Sequence, residues 1–190
     1  YLDIAHPDTT PDRKERNLRI IKDILAKPTR KVGANIVYDL DWLVNNMGLE
    51  VKSPFEDIQY AEPLIDEYRQ SYSLSALAKI YGCEEKASDL LDMYCAKQGW
   101  KFKDAREHIW RMPAQAVARY AELDGMLPMQ ISEKQREVIS RQGLDEVYSI
   151  ECRLIPLLIQ MRKQGVRLDM PRLKKTSLAV VDKMYELQTD

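Results

Sequence analysis

An α/β fold in which helix dominates follows from three features of this sequence. Two short apolar stretches, Lys31 to Val37 and Val51 to Ile58, have strand character and flank one helix-patterned segment. Apolar residues elsewhere recur at gaps of three and four. Only seven glycines interrupt the 190 residues. A helix between two strand candidates permits a parallel pair. Two or three strands are few for a free-standing sheet of this kind, which reads as a piece of something larger.

The elements follow in order. Tyr1 to Ile4 is a short apolar stretch compatible with a strand. Thr10 is placed to cap a helix that starts at Pro11, where proline suits the first turn. Leu18, Ile21 and Leu25 carry that helix, and Pro28 stops it. The strand over Lys31 to Val37 should pass into a helix over Tyr38 to Met47, with Trp42, Leu43 and Met47 as its apolar face and Gly48 as its stop. Pro54 interrupts the second strand. Ala61 to Tyr68, Leu74 to Tyr81 and Glu85 to Lys97 are helix-patterned, and Gly82 and Gly99 follow the last two. Pro113 opens another helix carrying Ala116, Val117, Tyr120 and Leu123, and Pro128 is expected to kink or end it. Gln135 to Gly143 is polar and marks the best domain boundary. Leu144 to Lys163 is a long amphipathic helix with Val147, Ile150, Leu154, Leu157 and Met161 on one stripe. Gly165 ends it, Val166 to Leu168 is extended, and Asp169 with Pro171 starts a last helix. That helix bears Leu173, Val180, Met184 and Leu187.

Composition excludes several classes. With 29 basic and 30 acidic residues, the net charge of −1 rules out a strongly basic nucleic-acid tail but not a local basic groove. A hydrophobic share of 45% argues against a disordered acidic chain. No apolar run reaches about 18 residues, so no membrane partner is expected. Tyr1 to Asp12 lacks a signal pattern. Cys83, Cys95 and Cys152 fit neither a disulfide framework nor a zinc site, which points to a reducing, cytoplasmic setting. His6 and His108 lack the companions of a zinc site. Neither a glycine-rich phosphate loop nor a nucleophile elbow is present.

Asp39 lies where a strand hands over to a helix, the end at which α/β sheets bind ligands. It reads equally as a carboxylate stabilised by the helix dipole. Tyr120 and Asp124 are four apart on one helix face. Together they suit a metal-bound water oriented by a phenol, or else a core-edge tyrosine beside a surface carboxylate. Asp41 should diverge from Asp39. Trp100, Phe102 and Trp110 alternate with Lys97, Lys101, Lys103, Arg106 and Arg111. Such a segment either stacks a single strand or anchors a solvated basic face. Arg162, Lys163, Arg167, Arg172, Lys174 and Lys175 form a second basic cluster.

In order, Gly33-Ala34-Asn35…Tyr38-Asp39, Phe55-Glu56-Asp57-Ile58, Ser73-Leu74-Ser75-Ala76-Leu77-Ala78 and Tyr120…Asp124 resemble the 3′–5′ proofreading exonuclease domain of family A, DNA polymerase I-like, DNA polymerases. The first group resembles that family's second exonuclease motif, and Tyr120…Asp124 its third, of the DEDDy type. Tyr148 to Leu158 and Gly165 to Asp169 resemble the opening of the polymerase module, which an RNase D-like nuclease lacks. The resemblance implies an RNase H-like (DnaQ-like) exonuclease fold, incomplete at its N-terminus, over residues 1–142. Thumb-base helices of a bacterial or phage polymerase would then occupy residues 143–190.

It further implies that Asp39 and Asp124 are metal ligands for Mg2+ or Mn2+, with Tyr120 orienting the attacking water. Asn35 and Tyr38 would meet the DNA strand, and Arg172, Lys174 and Lys175 the primer–template duplex. DNA and the rest of the polymerase chain are the implied partners. The family's Asp-x-Glu motif occurs nowhere in the sequence. Tyr1 to His6 resembles the family's third strand and the loop after it, so the expectation is a chain that begins inside the exonuclease domain. Gly125 and Pro128 also depart from the commonest form. Two-metal hydrolysis needs carboxylates on both sides of an ion pair roughly 4 Å apart. The isolated chain is therefore expected to bind metal weakly and to be nearly inactive. Two alternatives are an inert exonuclease-like platform for the polymerase and an RNase D-like nuclease.

Overall fold

The computed structural model describes all residues except 84–88, 102–104 and 190. The expected helix start at Glu85, and Phe102 and Lys103 of the aromatic-basic segment, lie outside the described residues. Helix α1 (Pro11–Leu25) begins as expected: Thr10 accepts a hydrogen bond from the Arg13 amide, with proline in the first turn. Strand β1 (Lys31–Gly33) is followed by α2 (Ile36–Asp41), a π-helical turn over Trp42–Asn46, and β2 (Phe55–Asp57). Then come α3 (Ile58–Ile65), α4 (Leu74–Ile80), α5 (Asp89–Gln98), α6 (Ala105–His108) and a 3-10 turn over Ile109–Arg111. Three long helices finish the chain: α7 (Ala114–Gln142), α8 (Asp145–Gln164) and α9 (Met170–Thr189).

β1 and β2 pair in parallel, with Lys31 opposite Phe55, Val32 opposite Glu56 and Gly33 opposite Asp57. Side chains alternate across this small sheet. Phe55 packs with Ile36, Val37 and Leu40 of α2 and Ile155 and Ile159 of α8. Val32 packs on the other side, against Leu123, Leu127 and Ile131 of α7 and Leu77 of α4. Helices therefore cover both faces of a two-stranded sheet.

Several expectations need correction. Tyr1 to Ile4 forms no strand; Asp3 is buried as an acceptor for Thr9 (2.6 Å) and for Asn17, and pairs with Arg13 at 2.8 Å. That polar network ties the segment to α1 and leaves no role for strand pairing. The first strand stops at Gly33, and α2 starts at Ile36 rather than Tyr38, because Asn35 turns the chain in the left-handed region (φ 59°). The core face of α2 is Ile36, Val37 and Leu40, while Trp42 and Met47 are exposed.

Pro128 does not end α7, which runs 29 residues. An internal proline costs about 3 kcal/mol. Burial of Leu123, Leu127 and Ile131, each at most 1% exposed, gives roughly 1.5–3 kcal/mol per side chain and outweighs it. The polar stretch from Gln135 continues α7 as far as Gln142; Gln135 itself is buried and donates to the Ile58 carbonyl (3.0 Å) and to Glu62 (2.8 Å). In α8 the buried side is Tyr148, Ile155 and Ile159, whereas Ile150, Leu154, Leu157 and Met161 of the anticipated stripe are exposed. Among the described residues no helix is long and apolar enough to cross a membrane, and all three cysteines are free.

Candidate functional site

A cleft of about 790 Å³ opens at the carboxyl ends of β1 and β2, bounded by α2, α4 and α7. The sequence puts three walls there. Gly33 and Ala34 end β1, and the tight turn through Asn35 aims α2 across the mouth. Gly33 is needed for this approach: a Cβ there would sit 2.9 Å from Ile36 Cβ and Cγ1. Ser73 caps α4 by accepting from the Ala76 amide (3.3 Å), which places Ser73, Leu74 and Ser75 on the second wall. α7 supplies the third wall, with Tyr120, Asp124 and Gly125 one turn apart.

Asn35, Tyr38, Asp39, Tyr120 and Asp124, each singled out from the sequence, all line this cleft. Tyr38 is 54% exposed at its mouth. Tyr120 leans on the apolar cluster of Leu91, Cys95, Met112 and Val117. The pKa of Asp39 is raised: the cleft walls strip water from the carboxyl although the residue as a whole is exposed, and the charges of Asp57 and Asp124 add repulsion. A set of carboxylates that repel one another favours a cation. Asp39 and Asp124 thus fit as part of a divalent-metal ligand set. Among the described residues, however, no three Asp, Glu, His or Cys side chains gather closely enough to hold an ion. Asp41 points elsewhere, as expected, and pairs with Arg162 at 3.0 Å.

Arg172, Lys174 and Lys175 are not at this cleft. They lie exposed near the start of α9, a helix that makes no extensive contact with any other element among the described residues. Of the aromatic-basic segment, Trp110 is 58% exposed with the Arg111 guanidinium 4.7 Å from its ring centre, and Trp100 stacks on His108 (4.4 Å). Neither tryptophan lines the cleft.

Sequence reasoning left out one residue that organises the site. Asp57 is fully buried. Its Oδ2 accepts from the Ile36 amide (2.7 Å), and its Oδ1 accepts from the amides of Gln59 (2.8 Å) and Asn35 (3.2 Å). Burial pushes its pKa up, against the downward pull of those three amides. The available signal was an aspartate at the last strand position directly before a helix, where it caps. Its neighbour Glu56 points to the opposite face and accepts from Ser132 (3.1 Å) and Arg136 of α7 and from Arg30 (3.5 Å). A strand of three residues therefore fastens both helices that carry the cleft carboxylates.

A family model described as 3′–5′ exonuclease matches residues 3–139. The chain is 39% identical over 157 residues to a DNA-directed DNA polymerase of Pseudomonas phage M6, covering 82% of this chain and 23% of that protein. It is 33% identical over 152 residues to DNA polymerase DpoZ of Salmonella phage PMBT28, covering 78% of this chain and 24% of that one. A DpoZ polymerase of Acinetobacter phage SH-Ab 15497 is 30% identical over 175 residues, covering 89% and 28%. The chain spans about a quarter of the length of these relatives.

Proposed function

The chain belongs to the 3′–5′ exonuclease family, and on that premise we propose that its cleft takes the 3′ end of a DNA strand as part of a proofreading phage DNA polymerase. The observation that carries this reading is the convergence of Asp39, Tyr120 and Asp124, from two helices about 80 residues apart, on one cleft. The fold would be of the RNase H-like type. Residues 1–142 would form the exonuclease region and residues 143–190 the start of the polymerase module, with α8 packed back on α2 and β2.

In this reading Asp39 and Asp124 hold Mg2+ or Mn2+ between α2 and α7. A divalent ion there supplies neutralisation of the phosphodiester charge and an activated water at neutral pH. The Tyr120 phenol orients the attacking water toward the 3′-terminal phosphorus. Asn35 and Tyr38, at the cleft mouth, contact the terminal nucleotides. The exposed Arg172, Lys174 and Lys175 of α9 contact duplex phosphates. Because two carboxylates are an incomplete donor set, the chain by itself binds cations weakly and hydrolyses DNA slowly or not at all. A second reading, an inert exonuclease-like platform for the polymerase, is compatible with the same two carboxylates.

Manganese titration of the 190-residue chain, followed by paramagnetic broadening, tests the site. The expected result is weak binding that D39N and D124N each abolish. Affinity unchanged in both variants overturns the assignment. Rapid metal-dependent shortening of 5′-labelled single-stranded DNA from its 3′ end overturns the near-inactivity. DNA binding that depends on a free 3′-hydroxyl and weakens in N35A supports an exonuclease cleft over an inert platform.

A further inference from the structure

We propose that Asp57 is the positioning residue for Asp39: its two carboxylate oxygens fasten two different helices, and the one turned to α2 fixes where Asp39 stands. The proposal rests on the reading of Asp39 as a metal-associated carboxylate.

The two oxygens divide the work unequally. Oδ1 accepts from the Gln59 amide at 2.8 Å and so caps α3, a task that serine performs equally well; it also accepts, at a longer 3.2 Å, from the Asn35 amide just before α2. Oδ2 accepts from the Ile36 amide at 2.7 Å, inside the first turn of α2. α2 needs that outside acceptor. Its own cap residue, Asn35, makes no side-chain capping bond and sits at φ 59°, the one non-glycine positive φ among the described residues. A helix of six residues has no stability of its own and takes its direction from whatever holds its ends. Apolar packing of Ile36, Val37 and Leu40 also holds α2, but it tolerates small rotations. The near end is held by a directional bond to a side chain that is fully buried. Asp39 belongs to the first turn, three residues after Ile36, so any release of the Ile36 amide swings Asp39 along the cleft.

Only a carboxylate presents an acceptor to both helices at this position. Serine keeps the cap of α3 but is too short to reach α2. Asparagine keeps one acceptor and turns an amide nitrogen toward the other N–H.

The test is Asp57→Ser in the full chain, read by amide hydrogen exchange, by the Asp39 backbone chemical shift and by manganese affinity. The expected outcome is a Gln59 amide as protected as in the parent and an Ile36 amide exchanging about tenfold faster or more. The Asp39 shift moves, and manganese affinity falls about 10- to 100-fold, the usual effect of losing a partner behind a metal ligand. A merely structural role would lower the melting temperature without moving the Asp39 shift ahead of the rest of the chain. Parent-like manganese affinity with a loosened Ile36 amide overturns the proposal, as does an unmoved Asp39 shift. Should D57S not fold, D57N decides the matter. Manganese affinity must then follow the protection of Ile36 and not that of Gln59. D39N separates the two readings: unchanged manganese affinity in D39N defeats the metal assignment, while the Asp39 shift in D57S still judges the positioning.

Discussion

Helices α2 and α7 bring the two carboxylates to one cleft, and different forces hold them there. α2 has six residues and is aimed by amide hydrogen bonds to Asp57 after a left-handed turn at Asn35. α7 has 29 residues and is set by volume: Leu123, Leu127 and Ile131 are buried between the sheet and α4, with Ser132 and Arg136 tied to Glu56. A directional clamp depends on single atoms. Distributed burial depends on how much apolar surface is covered, and it tolerates local irregularity, an internal proline included. One side of the cleft is therefore sensitive to changes in chemistry and the other to changes in size.

Leu127, on the side of the cleft held by burial, is fully buried. Leu127→Ala should cost about 2–5 kcal/mol in chemical denaturation, from lost transfer energy and a residual cavity. Gly33→Ala should follow at about 1–3 kcal/mol, since the new Cβ meets Ile36 at 2.9 Å and the first turn of α2 must shift. Its manganese affinity should fall with it, which Leu127→Ala need not cause while the chain stays folded. The glycine on α7 should behave oppositely. A Cβ at Gly125 meets nothing within 4 Å, so Gly125→Ala should raise stability by about 0.5–1 kcal/mol as a helix-interior replacement. A melting temperature lower than the parent's would show that α7 is as tightly constrained beside the cleft as α2.

Asp8 gives a gentler test. Pro113 offers no side-chain cap to α7, and Asp8 accepts from the Ala114 amide (2.8 Å) across 106 residues of chain, while His6 Nδ1 donates to the Met112 carbonyl (2.8 Å). Asp8→Ala should cost about 1 kcal/mol and Asp8→Asn much less, as for other capping residues. If both cost the same, charge at the helix start matters more than the cap.

The smallest effect is in pH. Asp39 has its pKa raised by desolvation and by Asp57 and Asp124. The folded state thus holds this proton more tightly than the unfolded chain. Its contribution is complete below the ordinary aspartate range and is lost as pH rises through the raised folded value. Asp39→Asn should remove that slope and leave the chain slightly more stable at neutral pH. Denaturation midpoints of both proteins across the acid range check this, and identical slopes would place the strain elsewhere.

Much of this was legible along the chain. Thr10-Pro11 marked the start of α1, Gly165 the end of α8, and the parallel pair followed from two apolar stretches around one helix. Asp39 could be picked out from its place where a strand hands over to a helix, and Tyr120 with Asp124 from their spacing on one helix face; Asn35 and Tyr38 came only with the resemblance to a family motif. α8 was misread for a physical reason. It carries two apolar stripes, Ile150-Leu154-Leu157-Met161 and Tyr148-Ile155-Ile159, and periodicity cannot say which one the sheet will cover. Pro128 was misread because local propensity cannot weigh burial contributed by distant elements.

The sequence by itself determined most of the kinds of element and their order. Those depend on periodicity, caps and residue type, all local. Only the tertiary structure decided that β2 turns Asp57 toward α2 and Glu56 toward α7, that α8 closes one face of the sheet, and that five residues from two distant segments share a cleft. These outcomes are set by strand register and by which apolar surfaces meet, and register is fixed only when both partners are in place.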